Sequence, residues 1–190
     1  MNTEFDLEYS IRTPSHTRKV FNPKLFKKTV DRLVRWLSTP RAKVLKIKAL
    51  AGCGNSGVPM ISAVSYATGL PIITVRKKSE TEHVYHSGYD VTGFNEGGSY
   101  LIVDDLIDSG ATVTRIIESI SLMNPSLSPC AIMLYSQEYP PTYFDPKGVN
   151  PKLFYSEHLE KCDPPAKPTT KKTPPKKTVK KGKQNAARRR

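Results

Sequence analysis

The 190-residue chain has no apolar run approaching the ~20 residues that a membrane-crossing helix requires. Its first residues, with Glu4, Asp6 and Glu8, lack the basic and then apolar pattern of a secretory leader. Cysteine is scarce. Cys53, Cys130 and Cys162 lie far apart without a Cys-x-x-Cys pair, which disfavours a disulfide framework or a zinc site and suits a reducing compartment. The expectation is a cytoplasmic protein, or a nuclear one in a nucleated host, with no membrane partner. Hydrophobic residues make up only 37% of the chain. Charge is also unevenly distributed. Residues 161–190 hold 12 Lys and Arg against one acid, Asp163, while residues 1–160 hold 18 basic and 16 acidic side chains. The net charge of +13 therefore belongs almost wholly to a tail, and the body is not read as a nucleic-acid binder.

What is present divides into a body, residues 1–160, and a basic tail, residues 161–190. The body is long enough to bury one core. Residues 1–21 carry no assignable role. Asn22-Pro23 suits a helix start, with Leu25, Phe26, Val30, Leu33, Val34 and Leu37 on one face, Trp36 in packing, and Pro40 as the stop. A strand is expected over Val44–Leu50, then a glycine-rich loop Ala51–Gly57, a helix Val58–Thr68 and a strand Leu70–Val75. The polar residues 79–98 read as a mobile loop, with a weak strand around Tyr89–Val91. A further strand–helix–strand series runs Tyr100–Val103, Thr112–Met123 and Cys130–Tyr135. Residues 137–160, rich in Pro, Tyr and Phe, read as irregular packing that covers the site. Alternating strands and helices imply an α/β fold: a central, mostly parallel sheet flanked by helices, with ligands at the carboxyl ends of the strands.

Ser99–Ile116 organises the rest. A buried-type strand ends at Asp104-Asp105, and a short loop with Asp108, Ser109, Gly110 and Ala111 leads through Thr112 into a helix. Such a loop aims several backbone N–H groups at one point beside a helix N-terminus, which suits a phosphate. The two carboxylates would repel a phosphate. They suit a sugar diol and a hydrated Mg²⁺, which favours oxygen ligands and keeps several waters. A ligand with all three features is 5-phosphoribosyl-1-diphosphate (PRPP). The competing interpretation is an acidic turn of an ordinary α/β domain.

Leu101-Ile-Val-Asp-Asp-Leu-Ile-Asp-Ser-Gly-Ala-Thr112 resembles the PRPP signature of the type I phosphoribosyltransferases, with Ser109-Gly110-Ala111-Thr112 where the family usually has Thr-Gly-x-Thr. The resemblance implies that Asp108, Ser109, Gly110, Ala111 and Thr112 hold the 5′-phosphate. It also implies that Asp104 and Asp105 hold the diol and, through water, Mg²⁺. Gly52, Cys53, Gly54, Asn55, Ser56 and Gly57 resemble the diphosphate loop of the orotate branch, with Ser56 where Lys is common. Arg76-Lys77 resembles the family's Arg-Lys pair, a second diphosphate contact. His83 stands in the mobile loop, which lacks the orotate branch's lysine, and is a candidate proton donor to leaving diphosphate. Leu106-Ile-Asp-Ser-Gly110 resembles the hypoxanthine–guanine branch, where the Asp handles a purine proton. Asp108 is thus either catalytic or a cap for its own loop.

The implied activity is Mg²⁺-dependent transfer of the 5-phosphoribosyl group from PRPP to a nucleobase, by a homodimer. The alternative is a protein of the same fold with reduced catalysis that senses PRPP or a nucleotide. The tail, from Asp163 on almost entirely Lys, Pro and Thr, is expected to be disordered, with nucleic acid as its candidate partner.

Overall fold

Asn22 starts the first long helix as its side chain dictates: its Oδ1 accepts from the backbone N–H groups of Lys24 and Leu25, and Pro23 occupies the first turn. In the computed structural model, which describes residues 17–77, 90–141 and 150–164, this helix is α2 (Pro23–Leu37), preceded by the single turn α1 (Arg18–Phe21). There follow α3 (Pro40–Lys43), β1 (Ile47–Cys53), α4 (Gly54–Thr68), β2 (Ile72–Val75), β3 (Val91–Gly93) and β4 (Gly98–Asp104). The chain continues with α5 (Ala111–Met123), β5 (Leu127–Leu134), β6 (Lys152–Tyr155) and α6 (Ser156–Glu160). No helix among the described residues is long and apolar enough to cross a membrane.

The six strands form one sheet in the order β3-β2-β1-β4-β5-β6. Every pairing is parallel except β2 with β3, so the expected α/β fold with a mostly parallel sheet holds. Successive residues of β1 and β4 alternate between two cores. Ala49, Ala51, Tyr100 and Ile102 face α5 with Val113, Ile116 and Ile120. Leu50, Leu101 and Val103 face α2 and α4 with Leu33, Trp36, Met60 and Ile61. Both faces are covered, which explains why the central strands are apolar throughout. Trp36, 2% exposed, packs edge-on to Phe154 of β6 with ring centroids 4.8 Å apart.

Several sequence expectations are corrected. Pro40 does not end α2, which stops at Leu37. It begins α3, capped by the Thr39 hydroxyl, because Pro is as suited to a first turn as to a stop. Leu25 does not join the buried face of α2 and is 40% exposed, while Thr29 is buried with its hydroxyl donating to the Leu25 carbonyl. The strand expected over Val44–Leu50 is shifted to Ile47–Cys53, and that over Leu70–Val75 is shortened to Ile72–Val75. The glycine loop Ala51–Gly57 is not a loop, since strand passes directly into helix at Cys53–Gly54. Residues 137–160 contain β6, paired with β5 from Ala131↔Lys152 to Leu134↔Tyr155, and the helix α6. The weak strand lies at Val91–Gly93. Most of the expected mobile loop, residues 78–89, and the tail from residue 165 lie outside the described residues.

The last described segment is fastened to α2. Arg32 donates to Asp163 from both Nε and Nη2, and Arg35 adds a bond from Nη2 to Asp163 Oδ1 at 2.9 Å and one from Nε to the Cys162 carbonyl at 2.8 Å. These guanidiniums hold the Asp163 carboxyl well below its usual range. Asp163→Asn should lower unfolding free energy by about 1 kcal/mol, read as a lower urea midpoint at pH 7. An unchanged midpoint would show that this junction adds nothing to the body.

Candidate active site

From β1 the chain moves to β2 on one side, whereas β4 returns to the other side of β1 and leads to β5. The direction of winding thus reverses between β1 and β4, and in open α/β sheets ligands bind outside the carboxyl ends of the strands at such a point. A cavity of about 390 Å³ opens there, lined by the ends of β1 and β4, the first turns of α4 and α5, Lys77, and Thr17 and Phe21 beside α1.

Two helix N-termini meet in this cavity. The first turn of α4 follows Cys53, and that of α5 follows Gly110, and neither of these two residues caps its helix with a side chain. Neither first turn carries an acid. Each therefore presents N–H donors and a positive dipole end to the cavity. Glycine makes the approach of α4 possible. A Cβ on Gly57 would lie 3.0 Å from the Val103 carbonyl oxygen and 3.1 Å from Gly52 Cα, and one on Gly52 would lie 2.9 Å from the Gly57 carbonyl carbon. At Gly54, with φ +61°, a Cβ would collide with the side chain of Lys77, which crosses this junction.

Asp104 and Asp105 end β4 almost entirely buried, 3% and 6% exposed. Asp104 Oδ1 accepts from the Ser56 hydroxyl at 2.9 Å and from the Asp105 N–H at 3.0 Å, and Asp105 Oδ1 accepts from the Leu106 N–H at 2.9 Å. Ser56 is itself held, since the Tyr135 hydroxyl donates to its carbonyl at 3.1 Å. Burial, and then the charge of Asp105, push the Asp104 carboxyl up to about 7 against the Ser56 bond, which lowers it. Burial likewise pushes the Tyr135 phenol up, so that it remains a donor.

The loop between β4 and α5 lies in the cavity wall at every position from Asp108 to Thr112. Asp108 is exposed, and no hydrogen bond joins it to another described residue, so the loop-cap interpretation fails for it. The cap-like contact comes from Ser109, whose hydroxyl accepts from the Ala111 N–H at 3.4 Å. A second cavity of about 430 Å³ adjoins the first. It shares Ile107 and Asp108, and adds Gln137, Glu138 and Tyr139. The Gln137 side chain fixes the wall between the two by accepting from the Ile107 N–H at 2.8 Å.

Of the diphosphate candidates, Cys53, Asn55, Ser56 and Lys77 line the main cavity, whereas Gly52, Gly54, Gly57 and Arg76 do not. The three glycines act on packing. The Arg76 carbonyl accepts from Arg115 Nε of α5 at 2.7 Å, and the Arg76 N–H donates to the Asp90 carbonyl at 3.0 Å. His83 lies outside the described residues. Sequence reasoning placed Gln137 only within the covering segment 137–160 and did not single out Thr17, Phe21, Tyr135 or Arg115. Of these only Phe21, an apolar residue just before the Asn22 cap, left a local signal.

The residues present fit a hard divalent cation held largely by others' oxygens. The protein donors reach Oδ1 of each carboxylate, and both carboxylates line the cavity. No group of three or more His, Cys, Asp or Glu that could enclose a metal occurs among the described residues. Two carboxylates with water and ligand phosphates are the set that Mg²⁺ tolerates.

The family model described as "Phosphoribosyl transferase domain" matches residues 16–151. The chain is 28% identical over 125 residues to a hypoxanthine/guanine phosphoribosyltransferase of Methanococcus maripaludis, covering 60% of this chain and 64% of the relative. To the protein of that name from Methanobrevibacter ruminantium it is 24% identical over 155 residues, covering 76% and 80%. Its fold is similar to that of adenine phosphoribosyltransferase from Saccharomyces cerevisiae, with TM-score 0.51 and 20% identity, covering 71% of this chain and 80% of that one.

Because the Asp104 carboxyl titrates higher in the fold than the ~4 of an unfolded chain, its protonated form favours folding. The stability it contributes is full below about pH 4 and is lost as pH rises through about 7. In metal-free protein, the urea midpoint of wild type should fall from pH 4 to 7.5 relative to that of Asp104→Asn. Parallel pH profiles for the two proteins would refute a destabilised buried carboxylate.

Proposed function

The chain, matched over residues 16–151, belongs to the phosphoribosyltransferase domain family, and on that premise we propose that it is an enzyme that transfers the 5-phosphoribosyl group of PRPP to a nucleobase. The observation that carries this reading is the meeting of two helix N-termini and two buried carboxylates in one cavity. Anion sites and cation or diol sites lie side by side there, as a phosphorylated sugar diphosphate requires.

In the proposed reaction a ring nitrogen of the base displaces diphosphate at C1, through a transition state with oxocarbenium character. The 5′-phosphate sits on the backbone donors of Asp108–Thr112. Oδ2 of Asp104 and of Asp105 accept from the ribose hydroxyls or from metal-bound water. Bound Mg²⁺ supplies charge neutralisation to the diphosphate. The first turn of α4 and the Lys77 ammonium meet the departing diphosphate. Ser56 acts on Asp104: its hydroxyl leaves one carboxylate oxygen aimed at the cavity.

The base occupies the second cavity, over Ile107 and beside Tyr139 and Gln137. A purine is the favoured class, since the curated relatives are named hypoxanthine/guanine phosphoribosyltransferases and Asp108, at the junction of the cavities, is free to exchange a proton with a purine nitrogen. Also part of this reading, resting on the resemblance alone, are a homodimer, a cytoplasmic setting and the role of His83.

Two measurements test it. Asp104→Asn combined with Asp105→Asn should reduce diphosphate release by a hundredfold or more with no loss of melting temperature, and retained turnover would sink the assignment. Hypoxanthine, guanine, adenine, orotate and uracil should be tried with PRPP and Mg²⁺. Turnover of a purine is the expected result. Tight PRPP binding with no turnover of any base would move the protein to the sensing alternative.

A further inference from the structure

The near-neutral body conceals a strong segregation of charge. Residues 17–48, which form α1, α2, α3 and the entry to β1, contain eleven Lys and Arg and a single acid, Asp31. On α2, Lys24, Lys27 and Lys28 are exposed and lie three and four residues apart, so they share one side of the helix. Asp31 pairs with Lys27 at 2.8 Å in solvent, where such a pair adds little, and Asp163 lies near enough to Lys28 to feel its charge. Beyond the helix, Arg41, Lys43 and Lys46 are exposed as well. Arg32 and Arg35 of α2 hold Asp163, so the described residues end beside this helix.

We infer that the outer face of α2 that carries Lys24, Lys27 and Lys28 is a docking surface for the phosphate backbone of nucleic acid. This departs from the sequence expectation, which gave nucleic-acid contact to the tail alone. The occupant follows from charge and shape. Lys24 to Lys28 span about 6 Å of the helix axis, a length over which one strand of B-form DNA presents about two phosphates. PRPP belongs to the cavity at the end of the sheet and gives no reason for a cationic row along a helix flank. A membrane surface is disfavoured, because a helix that lies on lipid keeps its apolar side free. Here Leu33 and Trp36 are buried under the helix against the sheet.

The test is fluorescence anisotropy of a labelled 30-base DNA, single-stranded and duplex, with the full-length protein over a NaCl series. Lys24→Gln with Lys27→Gln and Lys28→Gln should weaken binding and make the slope of log K against log salt shallower by about 2 to 3. A second full-length variant, with Gln at Lys171, Lys172, Lys176, Lys177, Lys180 and Lys181, should keep salt-dependent binding that falls further when the helix substitutions are added. An unchanged slope on the helix substitutions in both backgrounds would overturn the inference. So would binding to vesicles rich in phosphatidylserine with none to DNA. The three lysines are exposed and stand outside the cavity, so melting temperature and phosphoribosyl transfer should be unaltered. Loss of transfer in the parent would bear on the proposed enzyme and leave the DNA result standing.

Discussion

The first turn of α4 lies close enough to β1 and β4 that two glycines, Gly52 and Gly57, face each other at a distance where a Cβ on either would press on backbone atoms. Much of the candidate site depends on that contact. It brings the N–H groups of Asn55 and Ser56 to the point where the winding of the sheet reverses, and it sets the Ser56 hydroxyl within 2.9 Å of Asp104. A wider helix–sheet spacing would leave the Asp104 carboxylate buried without that donor, a costly arrangement for a charge in an apolar sheet. The same geometry lets Tyr135, from the far side of β4, hold the Ser56 carbonyl. A packing constraint in the core thus becomes an electrostatic one at the cavity.

The carboxylate pair shows the cost of such a site. Two acids at the end of a strand buried on both faces oppose the apolar burial that makes β4 central. The fold tolerates them because backbone donors at Asp105 and Leu106 and the Ser56 hydroxyl satisfy one oxygen of each. Burial and the neighbouring charge of Asp105 still displace the Asp104 carboxyl upward. Sites for ligands are commonly the places where local stability rules are broken.

The strand, acid pair and phosphate-type loop were legible because all their determinants lie within one short stretch, from the apolar run Tyr100–Val103 to the glycine cap at Gly110. The 52–57 glycines misled, since glycine signals a turn locally, whereas its reason here is the Val103 carbonyl, some fifty residues away in sequence. Ser56 looked like a lost cation and proved to be the partner of Asp104. β6 escaped notice because four residues among prolines carry too little period to be seen, and only pairing with β5 defines them. The charge on α2 was visible residue by residue. Averaging over the whole body hid it, because the compensating acids lie elsewhere in the sequence.

The sheet order also bears on how the chain is made. β1 has two parallel partners, β2 soon after it and β4 much later, with Leu50 beside Ile72 on one side and Leu101 on the other. During synthesis the apolar strand 49–53 must wait, with one edge open, until the second half of the chain emerges. Parallel pairing over such separations makes for slow assembly and exposes a sticky edge to other nascent chains. Chaperone demand and expression yield should therefore depend most on this central pair of strands, well away from the surfaces that evolution can vary freely.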